Sequence, residues 1–289
     1  MIRSWRTSGR GRGRLISHGR KLRVGRCRGK GFAATLALAA LLGVVACSSD
    51  DEVAYEERPV TELYDEAMVS MKDEEYKKAA VAFDEVERQH PYSPWATQAQ
   101  LMAAYAHYEA NEYIDAIAAL DRYIRLHPAN PDVPYAYYLK GLSYYEQISD
   151  VSRDQRMTED ALAAFTELVA RYPESEYARD ARLKLDLIND HLAGKEMTVG
   201  RYYLRQGHYL AAINRFQRVV AQYETTTHVP EALHRLVEAY MALGLTEEAR
   251  KSAAVLGHNF PGSEWYIDSY ELVENKDSRP EQEPWYKPW

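Results

Sequence analysis

Cysteine is almost absent: two occur in 289 residues, Cys27 and Cys47, and none follows. The body of the chain past residue 47 therefore has neither a disulfide nor a thiolate metal site open to it. Acidic residues are missing from the first 49 positions, which carry eleven basic ones between Arg3 and Lys30. All 43 acidic residues come later, against 25 of the 36 basic ones, so the net charge past that arm is −18 where the whole chain carries −7. A body this acidic is not held to nucleic acid or to an anionic membrane face by bulk charge. The uncharged run at 31–46 falls short of the roughly 20 residues a spanning helix needs. No H-E-x-x-H, G-x-S-x-G, P-loop or G-x-G-x-x-G is present, so no enzymatic activity, cofactor or metal ion is expected.

What is there begins with the basic arm, the apolar run and Leu41-Leu42-Gly43-Val44-Val45-Ala46-Cys47, followed by Ser48. Small residues before a cysteine, after a basic segment and an apolar core, resemble a bacterial lipoprotein signal. On this reading residues 1–46 are removed, and Cys47 carries a diacylglyceryl thioether and an acylated amine. Several acyl chains anchor firmly, at about 0.8 kcal/mol per buried methylene. The alternative is an ordinary secretory signal cut nearby, with Cys47 a bystander. Gly-Arg runs such as Gly9–Arg14 suit nucleic acid, but they lie in the segment that export would discard. Residues 47–58 read as a polar tether, and Ser48 after the lipid cysteine suggests sorting to the outer membrane.

Beyond the tether the sequence is helical in character and repeats itself. His90-Pro91, His127-Pro128, Tyr172-Pro173 and Phe260-Pro261 each end a segment with an alanine twelve residues before the proline: Ala79, Ala116, Ala161 and Ala249. Four residues after the alanine come Phe83, Leu120, Phe165 and Ala253, and three further come Val86, Tyr123, Leu168 and Leu256. A fifth copy, Ala212, Phe216 and Val219, has Glu224 in place of the proline. The small alanine lets two antiparallel helices approach, the larger residue one turn on fills the space between pairs, and proline stops the helix. Gly141 with Tyr144, Gly200 with Tyr203 and Val237 with Tyr240 mark the first helices. The pattern resembles the tetratricopeptide repeat. It predicts an all-α, right-handed superhelical solenoid of about five repeats over 59–273: repeats one to three in 59–174, and repeats four and five in 175–273. An insertion at Gln147–Thr158 interrupts the third pair. The tail from 274 to 289, with three prolines and Trp285-Tyr286-Lys287-Pro288-Trp289, cannot continue the array and is expected to be disordered or, alternatively, a short extended segment that docks its aromatics on a partner.

Lipid cysteine, short tether, five repeats, Ser152-Arg153-Asp154-Gln155, Arg171-Tyr172-Pro173-Glu174-Ser175-Glu176-Tyr177-Ala178, Gly200-Arg201-Tyr202-Tyr203 and Ala212-Ile213-Asn214-Arg215-Phe216 follow in order. That succession resembles the BamD (ComL) family of the outer-membrane β-barrel assembly machinery. The resemblance implies a non-enzymatic lipoprotein on the periplasmic face of the outer membrane. Its partners would be the POTRA domains of a BamA-type barrel subunit, other assembly lipoproteins and unfolded β-barrel precursors. It implies docking through Arg215, with Arg218 and Arg201 beside it, although each could equally be a solvated surface arginine. It also implies an N-terminal groove for the aromatic-ended strand of a precursor. Tyr64, Tyr105, Tyr108, Tyr137 and Tyr138 are the candidates to line that groove or, alternatively, to pack between helices. The competing class is a scaffold joining outer membrane, peptidoglycan and the Tol–Pal system. Its members place a heptad segment before fewer repeats, and no heptad region lies between Cys47 and Tyr64.

Overall fold

The computed structural model describes residues 57–274. The expected signal segment, Cys47, most of the expected tether and the tail beyond Glu274 lie outside the described residues. Eleven helices follow one another: α1 (Val60–Lys72), α2 (Tyr76–Gln89), α3 (Pro94–Glu109), α4 (Tyr113–Leu126), α5 (Val133–Tyr145), α6 (Arg156–Arg171), α7 (Glu176–Arg205), α8 (Tyr209–Gln222), α9 (Val229–Ala242), α10 (Thr246–Asn259) and α11 (Glu264–Glu274). No strand occurs among the described residues. Odd-numbered helices are the first of each pair and even-numbered helices the second, with α11 closing the array as a tetratricopeptide-type solenoid.

The repeat register is the core register. The five alanines from Ala79 to Ala249 are fully buried, as are Phe83, Leu120, Phe165 and Phe216, and Ala253 is nearly so. Val86, Tyr123, Leu168, Val219 and Leu256 complete the buried row. The first helix of each pair answers with Ala67, Ala104, Gly141, Gly200 and Val237, all buried. Sizes on the two sides are reciprocal. A Cβ on Gly141 would stand 2.5 Å from the Phe165 ring, and one on Gly200 would stand 2.5 Å from Phe216. Alanine faces Phe83 and Leu120 within their clusters, and Val237 accompanies Ala253 where the second helix has lost its large residue. Constant filled volume, not a constant residue, is what close packing demands.

The turns are built to two repeating designs. His90, His127, Tyr172, Tyr223 and Phe260 all end their helices in the same non-helical conformation, with φ between −127° and −134° and ψ between 42° and 57°. Four of them precede proline, which disfavours the helical region for the preceding residue. Tyr223 precedes Glu224 and takes the same shape, so neighbouring packing holds the stop without the proline. Inside the pairs, Glu74, Asn111, Gly207 and Gly244 adopt positive φ of 61°, 60°, 75° and 73°. Each is followed by an amide that reaches back to a carbonyl five residues earlier, as Glu75 does to Ser70 and His208 to Tyr203, the Schellman closure of a helix. Only the third pair lacks this turn, because residues 146–155 intervene.

Helix α7 departs from the pattern. The interval from Pro173 to Glu224 is 51 residues against 37 from Pro91 to Pro128, and the surplus is helix, 30 residues long in all. Its first half (Ala181, Ile188, Leu192) belongs to the cluster built on Leu120, Phe165 and Leu168. Its second half (Ala193, Met197) belongs to the cluster built on Phe216 and Leu256. The two cores therefore meet within one continuous helix. Loop 146–155 braces that junction. Lys195 Nζ donates to the Arg153 carbonyl at 3.1 Å, and Val151 lies against Gly194. No described helix is long and apolar enough to cross a membrane. First helices touch their successors along the array, whereas second helices do not touch one another. The row of first helices is therefore the shorter, inner side.

Candidate functional site

The inner row carries two chemically different faces. On α3, α5 and the start of α7, Tyr105, Tyr108, Tyr135, Tyr138 and Tyr177 are half-buried, packed against the core beneath. Tyr177 lies 5.4 Å from Tyr135 and 5.5 Å from Tyr138, ring centre to ring centre, and Tyr113 at the start of α4 meets Tyr108 at 5.8 Å. Carboxylates stand among these rings. The Tyr138 hydroxyl donates to Asp180. A hydrogen bond to Glu109 and then burial push the Tyr105 hydroxyl up to about 12. Burial first, then the neighbouring phenols and Glu109, raises Tyr135 as well. These phenols stay protonated and serve as donors.

Two of the five tyrosines expected in a groove belong elsewhere. Tyr64 is 7% exposed, wedged between Phe83 and Trp95 at 5.5 and 4.8 Å. Tyr137 is 5% exposed, with its hydroxyl on Glu167 at 3.3 Å. Both pack in the core, because their positions on α1 and α5 face the partner helix of the pair. Tyr105, Tyr108 and Tyr138 do share the inner face. Sequence reasoning missed Tyr113, Tyr135, Tyr177 and the central Glu109. The missing signal was local: Tyr135 precedes Tyr138 by three residues, as Tyr105 precedes Tyr108, which is same-face spacing on a helix.

The C-terminal half presents arginines. Arg201 Nη1 donates to both oxygens of Glu231 at 3.0 Å. Arg235 reaches Glu231 at 3.4 Å and Glu238 at 2.7 Å, and its guanidinium lies 5.2 Å from the Trp265 ring centre. This ladder crosses α7, α9 and α11. Burial alone would raise the Glu238 carboxyl, but hydrogen bonds from His234 and Arg235 prevail and hold it below its ordinary value. His234 Nδ1 is 2.9 Å from Ser269 Oγ, tying α9 to the last helix. On the flank, Glu196 of α7 accepts from Arg215 at 3.1 Å and from Arg218 at 2.8 Å. Arg215 stands one position before the buried Phe216 and is half-exposed, as the register predicts. Its in-chain carboxylate was not foreseen. One carboxylate neutralises one guanidinium, so Arg215 and Arg218 together keep a net positive charge.

The histidines at repeat ends are satisfied within the fold. His90 Nε2 lies 2.7 Å from the Arg58 carbonyl, and His127 Nε2 lies 2.8 Å from Gln100 Oε1. His107, Glu112 and Asp115 bring potential ligand atoms within 4.8 Å of one another, a cluster the sequence reading did not anticipate. The Lys77 ammonium already sits 2.6 Å from Glu112, and His107 Nδ1 sits 3.0 Å from its other oxygen. Together they lock the turn between α3 and α4.

Residues 56–256 match the YfiO family, described as outer membrane lipoprotein. Among relatives, the outer membrane protein assembly factor BamD of Caulobacter vibrioides is 52% identical over 253 residues, covering 88% of this chain and 83% of its own. The factor of the same name from Rickettsia prowazekii is 46% identical, covering 78% and 89%. That from Neisseria gonorrhoeae is 34% identical, covering 80% and 87%. The chain belongs to the YfiO family of outer membrane lipoproteins.

Proposed function

We propose that this protein is a non-enzymatic scaffold of outer-membrane β-barrel assembly, holding a barrel-forming subunit on one face and unfolded precursors on the other. The observation that carries the reading is the 52% identity to a named assembly factor over 88% of this chain and 83% of that one. The distribution of side chains along the array supports the division of labour. The surplus charge of Arg215 and Arg218 over Glu196 suits an acidic surface on a folded partner, with Arg201 held nearby by Glu231. POTRA domains of a BamA-type subunit are the proposed partner there, with other assembly lipoproteins in the same complex. Electrostatic pairing of this sort sets register and encounter rate more than raw affinity.

The tyrosine face suits an extended strand. Each phenol gives a large contact area at little entropic cost and keeps a hydroxyl for the strand's backbone. Cys47, acylated after removal of residues 1–46, would tether the array to the periplasmic face of the membrane through residues 47–58. Mild-detergent purification from crosslinked envelopes, followed by mass spectrometry, tests the proposal. Recovery of a large barrel protein bearing POTRA domains is expected. Recovery of Tol, Pal or peptidoglycan-linked proteins without that barrel would overturn it.

A further inference from the structure

Among the described residues the array ends on a first helix with no second to pair with it. In each earlier pair a second helix of 14 or 16 residues follows the first. After α11 only residues 275–289 remain, and Pro280, Pro284 and Pro288 fall at every fourth position, where each would remove a helical hydrogen bond. Two sides of α11 are engaged. Trp265 and Ser269 meet His234 of α9, the rings at 5.3 Å between centres and Ser269 Oγ at 2.9 Å from Nδ1. Tyr266 lies so close to α10 that a Cβ on Gly257 would stand 2.5 Å from its ring. Ile267 and Tyr270, three residues apart, are exposed, although the end of a solenoid ordinarily shows water a polar face. Between α10 and α11 lies a cleft of about 260 Å³, lined by Ala253, Ala254, Gly257, Tyr266, Tyr270 and Val273. Arg250 and Glu274 add one charge of each sign to the lining. Ala253 keeps the α10 wall low, since it holds the place of Phe83, Leu120, Phe165 and Phe216 in the other second helices.

We propose that residues 275–289 fold back along α11 and seat the Trp285 and Trp289 indoles on this cleft, closing the array where a second helix is missing. The inference does not depend on the partners proposed above. The segment is long enough. From Glu274 back to Tyr266 the helix runs about 12 Å, whereas the eleven residues 275–285 reach about 36 Å when extended. It is also the right kind of chain. A proline-spaced segment is extended before it binds and loses little entropy on docking, and grooves lined by aromatic rings are what such segments fit. An indole set against Tyr270 and the alanines takes apolar surface on both sides out of water. The tail leaves the array at Glu274, which itself lines the cleft. Being attached there, it competes for the cleft at a millimolar effective concentration that a separate partner or a second copy does not match.

The test is amide hydrogen exchange on the full-length protein purified in detergent, native and Trp285→Ser/Trp289→Ser. The substitutions lie beyond the described helices, so amides of α1 to α9 should exchange alike in both. Amides of α11 should exchange at least about tenfold faster in the variant, because a terminal helix that loses its cover opens locally. Ala254→Gln should release α11 in the same way with the tail intact. It fills the cleft from an exposed position and keeps a good helix former on α10. Equal exchange of α11 in the native chain and the tryptophan variant would overturn the proposal. Release by the tryptophan variant alone would place the tail elsewhere and overturn the cleft as its seat. Protection of native α11 that is lost on about tenfold dilution would identify a second copy as the occupant, by mass action, and overturn it too.

Discussion

The two halves of the array are built on one repeat design and do different things with charge. From α3 to the start of α7 the face is built of tyrosines, with the Tyr138 hydroxyl donating to Asp180. From the end of α7 to α11, Arg201 and Arg235 on the inner row and Arg215 and Arg218 on its flank pair with Glu196, Glu231 and Glu238. The repeat register treats both halves alike, because it specifies the volume between paired helices and nothing beyond. Positions that point away from that contact are free to diverge, and there the two faces were written.

The largest effect should come from the feature the halves share. Phe165→Ala in one core and Phe216→Ala in the other should each cost about 3–5 kcal/mol in urea unfolding. Each ring rests on a glycine that leaves no side chain to close the gap. Because α7 belongs to both cores, each variant should still unfold in one transition. Two separated transitions would show that the helix does not couple them.

Function should separate where stability does not. Tyr105→Ser/Tyr138→Ser should weaken capture of unfolded barrel precursors by at least about tenfold, the scale of an interface hot spot, with co-purification of the barrel subunit unchanged. Arg215→Glu should do the reverse, since it places a second carboxylate against Glu196. Loss of both activities in either variant would break the division.

A smaller contrast lies in the turns. The N-terminal pairs place Glu74 and Asn111 at positive φ, the C-terminal ones Gly207 and Gly244. Glu74→Gly should stabilise by about 1 kcal/mol and Gly207→Ala should destabilise by about as much, because a Cβ disfavours the left-handed region. Thermal melts of the two variants should move in opposite directions.

The smallest effect concerns alkaline pH. Tyr105 is raised in the fold to about 12 from an unfolded value of about 10. Its contribution to stability is full below about pH 10 and is lost as the pH rises from there toward the folded value. Urea midpoints should therefore fall between pH 9.5 and 11 by more in the native chain than in Tyr105→Phe, at intervals of about half a unit. Equal falls would show that the Tyr105 phenol is not held protonated by its surroundings.

Much of the fold was legible because close packing of paired helices imposes a period, and fifteen positions in register, from Ala79 to Leu256, were read and are buried. The length of α7 was visible only as an irregular spacing. A helix that fails to turn leaves no residue announcing it, and only the absence of a stop near residue 190 encodes its run. The site was harder. Tyr64 and Tyr137 share composition and neighbourhood with Tyr105 and Tyr138, and what separates core from groove is which way each faces on its helix. The Arg215–Glu196 and Arg201–Glu231 pairs join residues on neighbouring helices, 19 and 30 positions apart. No local pattern marks such pairs until the helices are set side by side.

The central claim is that the two faces hold different polypeptides. A photo-activatable crosslinking residue placed at Tyr138 in one strain and at Arg218 in another tests it directly in living envelopes. The account predicts crosslinks from position 138 to unfolded barrel precursors and from position 218 to the large barrel subunit. The same crosslinked species from both positions would contradict it.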